Sequence, residues 1–251
     1  MGIQPRYVAL AIAAVVFSAC SSAPPSSTQS ASVMPASAPA SSPAATSAAP
    51  TETGAELTVD AFLALLQAGL TGLKSYHVDV VLEGKSIHST GTGVVERVSE
   101  TVANTELTLT TMGRTVTLLI YDGAFYVKTA GRWLKVDRDL FGANGATAGD
   151  IGTAIAGAKR YLNSVAVVGE EPINGVATTH YRVTMDAEAL VRIFGSKARP
   201  KQRTFDWELW MDSSGLIHQA ANTVKLSTGE VTNTTTMSRF NEPVTITPPK
   251  R

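Results

Sequence analysis

From Ser75 onward, apolar residues recur at every second position, and turns that contain glycine separate the runs. The first run shows this period in four apolar residues: Tyr76, Val78, Val80 and Leu82. Such alternation is typical of strands with one buried face. Asp122-Gly123 and Asn174-Gly175 lie between runs, and these dipeptides favour tight hairpins because both central residues of the turn adopt positive φ. The sequence therefore predicts an antiparallel sheet of about eleven strands.

Three segments repeat their apolar residues with a helical period instead. The first, Thr58–Leu73, has an apolar face made of Phe62, Leu63, Leu66, Leu70 and Leu73. Asp150 can cap a second helix to about Asn163, with inward residues Ile151, Ile155, Ala158 and Leu162, and Asp186 can cap a third, with Leu190, Ile193 and Phe194. A sheet of more than about ten twisted strands tends to curl. We therefore expect an α+β fold: a curved antiparallel sheet forming an unclosed β-barrel (half-barrel), with helices packed on its concave face.

The amino-terminal residues predict export and a lipid anchor. An apolar run of about ten residues, Val8–Phe17, follows Arg6; it is too short to span a bilayer but typical of a signal peptide. It leads into Ser18-Ala19-Cys20, where small residues precede the single cysteine of the chain. We expect cleavage before Cys20 and lipidation of its thiol. The alternative is an ordinary secreted protein cleaved near Ala19, in which Cys20 has no role.

The next segment predicts a tether rather than a folded unit. Ser21–Pro50 consists almost entirely of Ser, Ala, Pro and Thr, and has no apolar period from which a core could form. The expected organisation is a signal peptide at 1–19, a lipidated Cys20 with a disordered tether at 20–56, and one folded domain at 57–251. This places the domain at the outer face of a bacterial cytoplasmic membrane, in the cell envelope.

Composition and motifs favour binding over catalysis. Lys and Arg together number 21, as do Asp and Glu, so no basic excess indicates nucleic acid. The four histidines, His77, His88, His180 and His218, lack metal-ligand spacing, and His180 is expected to pair with a polar residue across a strand. Gly152 and Gly157 have the spacing of a phosphate loop, but Lys159 comes one residue late and no Ser or Thr follows it. We expect no enzyme, metal or cofactor; an envelope enzyme is the alternative.

An area estimate predicts a hydrophobic pocket. Eleven strands present a face of about 1,000 Å², whereas three short helices cover about 600 Å², so either stronger curling or an apolar ligand must cover the rest. Trp207 is expected inside and Trp210 outside, because the two lie three residues apart on one strand. The predicted pocket residues are Leu66, Leu70, Val78, Val80, Leu107, Leu109, Leu118, Ile120, Phe125, Ile155, Leu190, Phe205, Trp207 and Leu209.

Three stretches of the sequence form decorated hairpins in a specific order: 122–128 with 131–137 (DGAFYVK and GRWLKVD), 173–182 (INGVATTHYR) and 207–216 (WELWMDSSGL). Together they resemble the actinobacterial LppX/LprG family of lipoproteins. The family is similar in shape to the LolA/LolB lipoprotein carriers. The resemblance implies an unclosed barrel with helices on its concave side and a pocket for the acyl chains of a lipid or glycolipid.

The combined expectation is a membrane-anchored envelope lipoprotein that binds an acylated lipid or glycolipid and helps to carry it across the envelope. An envelope transporter would then be a partner. The alternative is a scaffold or sensor of the same fold, with a collapsed pocket, that acts through a protein partner.

Overall fold

The computed structural model describes residues 56–85, 87–99, 102–111, 113–129, 131–136, 159–189, 203–226 and 229–249. The predicted signal peptide, Cys20 and the tether lie outside these ranges, as do most of the predicted second and third helices. Within the described ranges, no helix is both long and apolar enough to cross a bilayer.

The dominant element is one antiparallel sheet of twelve strands. The strands are β1 (Glu56–Leu57), β2 (Ser75–Gly84), β3 (Ile87–Arg97), β4 (Ala103–Thr111), β5 (Arg114–Tyr121), β6 (Ala124–Thr129), β7 (Arg132–Val136), β8 (Leu162–Ile173), β9 (Val176–Asp186), β10 (Thr204–Met211), β11 (Ile217–Leu226) and β12 (Gly229–Ser238). Their order is β1-β8-β9-β10-β11-β12-β2-β3-β4-β5-β6-β7. β1 and β7 are therefore the two edges, and the described sheet is not closed.

The predicted hairpins are confirmed. Apart from the pairings of β1 with β8 and of β12 with β2, every strand pairs with its neighbour in sequence. Asp122 and Gly123 have φ values of 48° and 69°, and Asn174 and Gly175 have 50° and 81°. Both central residues of each turn thus have the positive φ that a tight hairpin requires. Eleven strands are longer than two residues, as the alternating pattern predicts.

One complete α-helix, α1 (Val59–Leu70), lies in the described residues, and residues 188–189 are also helical, where the range 159–189 ends. Thr58 caps it, because its Oγ1 accepts a hydrogen bond from Ala61 N at 3.2 Å. The helix ends near Gly72, whose φ is 75°. The first predicted helix is therefore confirmed but is shorter than 58–73: Leu73 is buried beyond the end of α1.

The structure differs from the predictions for the other two helices. The second was expected to reach Asn163, but Leu162 and Asn163 begin β8 after a single 3₁₀ turn, Lys159–Tyr161. The prediction that this helix includes Leu162 and Asn163 is wrong. Leu162 pairs with Met185 of β9 and therefore belongs to the sheet. Asp186 ends β9, and its Oδ1 accepts a hydrogen bond from Asn163 Nδ2 at 2.9 Å. Several helices on one face are thus not confirmed.

Helix α1 packs against one face of the sheet, here called the inner face. Phe62 and Leu66 are fully buried, and they belong to one hydrophobic cluster with residues of β2, β3 and β8–β12. Gly69 lies against the turn between β10 and β11: a Cβ on Gly69 would be 2.0 Å from Gly215 O. The helix backbone therefore approaches this turn too closely for any side chain to fit between them.

The opposite face, here called the outer face, is partly covered by the carboxyl-terminal segment. Asn241 N donates to Ser75 O at 2.8 Å, and Ile246 N donates to Glu96 Oε2 at 3.2 Å. Ile246 is buried, although it lies outside every strand. The segment 239–249 thus crosses the start of β2 and the end of β3 on the outer face.

Candidate functional site

The ten predicted pocket residues that lie in strands share one face of the sheet. Directly paired residues of an antiparallel sheet point to the same side. Val80 pairs with Thr235, which pairs with Ala220, which pairs with Leu209; the pairings therefore join β2 to β10 on the inner face. The same reasoning with period two places all ten on this face: Val78, Val80, Leu107, Leu109, Leu118, Ile120, Phe125, Phe205, Trp207 and Leu209.

Most of the predicted pocket residues are buried or half-buried. Seven of the strand and helix positions are buried: Leu66, Val78, Leu109, Ile120, Phe125, Phe205 and Leu209. Trp207 is buried as well, with 5% of its surface exposed. Val80, Leu107, Leu118 and Leu70 are half-buried. Ile155 and Leu190 lie outside the described residues, so the structure does not test whether they join this face.

The inner face has two parts, of which one packs against α1. Leu209, Trp207 and Phe205 pack in the cluster around α1. Leu109, Ile120 and Phe125, on β4–β6, are buried without belonging to that cluster. A surface of apolar side chains thus continues from the helix-covered half of the sheet onto β4–β6.

Two glycines of β3 lie between these parts and leave room for the side chains of β4. A Cβ on Gly91 would lie 2.4 Å from Leu109 Cδ2, and one on Gly93 would lie 3.0 Å from Leu107 Cδ1. The two leucine side chains therefore lean across β3, where no side chain stands in their way. This brings the apolar surface of β4 close to Val78 and Val80 on β2.

A small cavity lies beside α1. It is lined by Leu70, Leu73, Tyr76, Gly215, Met237 and their neighbours, and its volume is about 20 Å³. A water molecule needs about 10–15 Å³ measured in this way, so the cavity holds one or two waters and not an alkyl chain. The predicted pocket for acyl chains therefore stays a prediction.

Polar residues also occupy the inner face, and the sequence reasoning missed them. Trp207 pairs with Asn222, Asn222 with Asn233, Asn233 with Leu82, Leu82 with Ser89, and Ser89 with Thr111. Every residue of this line except Leu82 carries a polar side-chain atom. We call these five residues the polar row: Trp207, Asn222, Asn233, Ser89 and Thr111. The signal was available in principle, because Asn222 and Asn233 fall at inward positions of their strands.

The predicted partner of His180 is confirmed on the outer face. His180 Nε2 lies 2.8 Å from Glu208 Oε2, and Arg182 Nε donates to Glu208 Oε1 at 2.8 Å. Burial by itself raises the pKa of Glu208, but the hydrogen bonds and positive charges of His180 and Arg182 outweigh it, so the net pKa lies below the ordinary value. Glu208 is thus paired with both His180 and Arg182, and these contacts explain the cluster as a structural feature of the sheet.

Trp210 completes this outer cluster. Its ring stacks on His180 with 4.2 Å between ring centroids, and its Nε1 donates to a carboxylate oxygen of Glu171. The prediction that Trp207 faces inward and Trp210 outward agrees with the pairing of the two residues on opposite faces. Packing against neighbours therefore accounts for the position of Trp210.

A second carboxylate organises the turn between β10 and β11. Asp212 Oδ1 accepts hydrogen bonds from Ser214 N at 2.9 Å and from Leu216 N at 3.1 Å, and Asp212 Oδ2 lies 3.0 Å from His218 Nε2. Although burial raises the pKa of Asp212, these bonds outweigh it and the net pKa is lowered. In the part of the chain that the structure describes, no group of three or more His, Cys, Asp or Glu residues could hold a metal ion.

Comparison with solved structures places this fold beside known lipoproteins. LppX from Mycobacterium tuberculosis matches with 20% identity and a TM-score of 0.54, over 75% of this chain and 99% of that chain. LprF from Mycobacterium bovis matches with 18% identity and a TM-score of 0.53, over 75% of this chain and 96% of that chain. At these identities the likeness shows the fold alone. A search of curated proteins found no match to the sequence.

The family is shown by a broader match. The family model described as LppX_LprAFG lipoprotein matches residues 60–246, which include all of α1 except its first residue and all strands from β2 to β12. The resemblance carried by the hairpin motifs is thereby confirmed. The chain belongs to the LppX_LprAFG lipoprotein family.

Proposed function

We propose that this protein is a membrane-anchored envelope lipoprotein that binds an acylated lipid or glycolipid against the inner face of its half-barrel. Cys20 carries the lipid anchor, 20–56 is the tether, and 57–251 is the binding domain. The protein acts by binding and helps to carry its ligand across the cell envelope, from the outer face of the cytoplasmic membrane and with an envelope transporter as partner.

The observation that carries the proposal is the placement of ten apolar residues on one face of a sheet that belongs to this family. Apolar surface of this extent favours an apolar ligand or a packed core. Leu109, Ile120 and Phe125 lie beyond the cluster around α1, so we assign the acyl chains to the inner face of β4–β6.

Uptake of a defined lipid tests the proposal. The full chain, stripped of lipid and kept in solution by an amphipathic polymer, should take up dipalmitoylglycerol saturably, one molecule per chain by native mass spectrometry. Leu118→Gln should weaken uptake at least about fivefold, because an unpartnered amide against the acyl chain costs about 1–3 kcal/mol.

Thr117→Gln is the matched control, since Thr117 is the next residue of β5 and faces outward. It should leave uptake unchanged. If the chain shows no saturable uptake, and retains no lipid when purified from its own envelope, the proposal is wrong.

The small cavity favours a second candidate, a scaffold or sensor of the same fold that acts through a protein partner. The cavity beside α1 has a volume of about 20 Å³, no more than a packed core leaves, so this part of the described inner face is filled by the chain itself. This candidate predicts that the purified chain carries no lipid and that one protein accompanies it through purification from the envelope.

A further inference from the structure

The indole N–H of Trp207 is the starting observation. In the part of the chain that the structure describes, Trp207 Nε1 is the buried side-chain nitrogen or oxygen without a hydrogen-bond partner. The residue itself is 95% buried, since 5% of its surface is exposed. A buried tryptophan N–H normally finds an acceptor, and a native group left without one calls for an explanation.

The surroundings of Trp207 show that its missing partner is specific to this position. Elsewhere in the polar row, hydrogen bonds are made within the row: Asn233 Nδ2 donates to Asn222 Oδ1 at 3.3 Å, and Ser89 Oγ donates to Thr111 Oγ1 at 2.7 Å. Asn222 is 5% exposed and pairs directly with Trp207. The row therefore brings polar groups into an apolar face, and its end at Trp207 lacks one acceptor.

Charge on the inner face limits what that acceptor is. The described inner-face positions of β9–β12 carry apolar side chains, threonine or asparagine, and no Lys, Arg, Asp or Glu. An indole N–H donates one hydrogen bond and accepts none. A carboxylate or phosphate placed here would lose its hydration without gaining an opposite charge. The site thus suits an uncharged oxygen acceptor.

We infer that Trp207, beside Asn222, is the residue that selects the ligand: its indole N–H donates to an ester carbonyl of the bound lipid, so that neutral esterified lipids are preferred over ether lipids and free fatty acids. This inference rests on the proposed function. It assigns the ester linkage to the Trp207 end of the polar row, and the acyl chains run from there along the inner face toward β4–β6, which begin five strands away.

Competition between two lipids that differ only at the carbonyl tests the inference. Dipalmitoylglycerol and dihexadecylglycerol have the same uncharged glycerol and chains of the same length, but the ether lipid lacks the carbonyl oxygens. Native mass spectrometry of the full chain with an equal mixture separates the two complexes by mass. We expect the ester to be preferred about five- to tenfold, the free-energy difference of one net hydrogen bond.

Trp207→Phe keeps an aromatic ring and removes the N–H. It should bring the ratio of ester to ether close to one while binding of the ether lipid persists. Trp210→Phe is the matched control, because this indole faces outward and already donates to Glu171; its ratio should equal that of the wild type.

The outcomes separate this inference from the proposed function. Equal binding of both lipids by the wild-type chain overturns the role of Trp207 and leaves lipid binding standing. Binding of neither lipid overturns the proposed function and the inference with it. A preference for the ester that survives Trp207→Phe also overturns the role of Trp207.

An NMR measurement on the wild-type side chain covers the case in which Trp207→Phe does not fold. The chain has three tryptophans, so Trp133→Phe and Trp210→Phe identify the Trp207 indole proton by elimination. Its resonance should move downfield when dipalmitoylglycerol binds and not when dihexadecylglycerol binds. An indole proton that stays unmoved by the bound ester overturns the inference.

Discussion

The two faces of the sheet satisfy their polar groups in different ways. On the outer face, polar side chains pair with one another across strands: Glu208 contacts His180 and Arg182, and Thr184 Oγ1 donates to Asp206 Oδ1 at 2.7 Å. On the inner face, Asn233 donates to Asn222 and Ser89 donates to Thr111, whereas Trp207 Nε1 has no partner among the residues that the structure describes. Among the described residues, the buried polar side-chain atom without a partner therefore lies on the inner face.

On the inner face, the contact between α1 and the turn that joins β10 and β11 should tolerate substitutions least. A Cβ on Gly69 would lie 2.0 Å from Gly215 O, a backbone atom that cannot turn away. Gly69→Ala should lower the free energy of unfolding by about 3 kcal/mol, since overpacking displaces α1 from the sheet. Helix propensity alone predicts the opposite sign, a gain of about 1 kcal/mol. Denaturation with urea measures the change.

Ala68→Gly is the matched control for this substitution. Ala68 is the preceding residue of α1 and is exposed, so the variant should lose about 1 kcal/mol through propensity alone. A Gly69→Ala variant more stable than the wild type would show that α1 does not dock closely on the turn between β10 and β11.

A pair of identical substitutions on β2 compares the faces directly. Val78 is 6% exposed on the inner face, whereas Val81 is half-buried on the outer face and pairs with Thr90 and Thr234. Val78→Thr should cost about 1–3 kcal/mol, because it buries a hydroxyl group among apolar side chains. Val81→Thr should stay within about 0.5 kcal/mol of the wild type. Equal costs, measured by thermal denaturation, would contradict the assignment of faces.

The sequence predicts which residues share a face of the sheet, because alternation and turn residues are local features of the chain. Period-two alternation places Val78 and Val80 on one side wherever β2 pairs, and Asp122-Gly123 forces a hairpin whatever surrounds it. The predicted helix through Leu162 and Asn163 is wrong, because a short apolar run fits either period and only its pairing with β9 decides between them.

The polar row and the contact of Gly69 depend on pairs that are distant in the chain. Trp207 meets Asn222 only through the register of β10 and β11, and Gly69 meets Gly215 only after α1 docks. No local pattern encodes such a meeting. Candidate apolar residues can therefore be named from the sequence, whereas the unpartnered N–H of Trp207 is visible only in the structure.

The charged cluster of the outer face should contribute a pH-dependent part of the stability. The pKa of Glu208 is lower in the folded chain than its ordinary value of 4.5. The stabilisation is therefore present above that pH and is lost as the pH falls through the folded pKa. It should amount to at most about 1 kcal/mol, because solvent reaches the cluster.

Glu208→Gln removes this titration. The free energy of unfolding of the wild type should fall more steeply between pH 6 and pH 3 than that of the variant, so that the two curves approach each other in acid. Urea denaturation at a series of pH values measures both slopes. Parallel curves would show that the contacts of His180 and Arg182 do not stabilise the ionised carboxylate.

Hydroxyl pairs provide the smallest effect and the closest contrast between the faces. Thr110 Oγ1 and Thr115 Oγ1 lie 3.3 Å apart on the outer face, both exposed; Ser89 and Thr111 form the corresponding inner pair, with Ser89 1% exposed. Replacing Thr110 and Thr115 by Val, singly and together, should give a coupling free energy of at most about 0.3 kcal/mol, because water replaces the bond.

The inner pair should couple more strongly. Ser89→Ala and Thr111→Val, singly and together, should give a coupling free energy of about 1 kcal/mol, since each single change leaves a hydroxyl group without its partner in a largely buried position. Two double-mutant cycles by urea denaturation measure the difference. Equal coupling in both pairs would mean that water reaches the inner face as freely as the outer one, and the unpartnered N–H of Trp207 would then need no ligand to satisfy it.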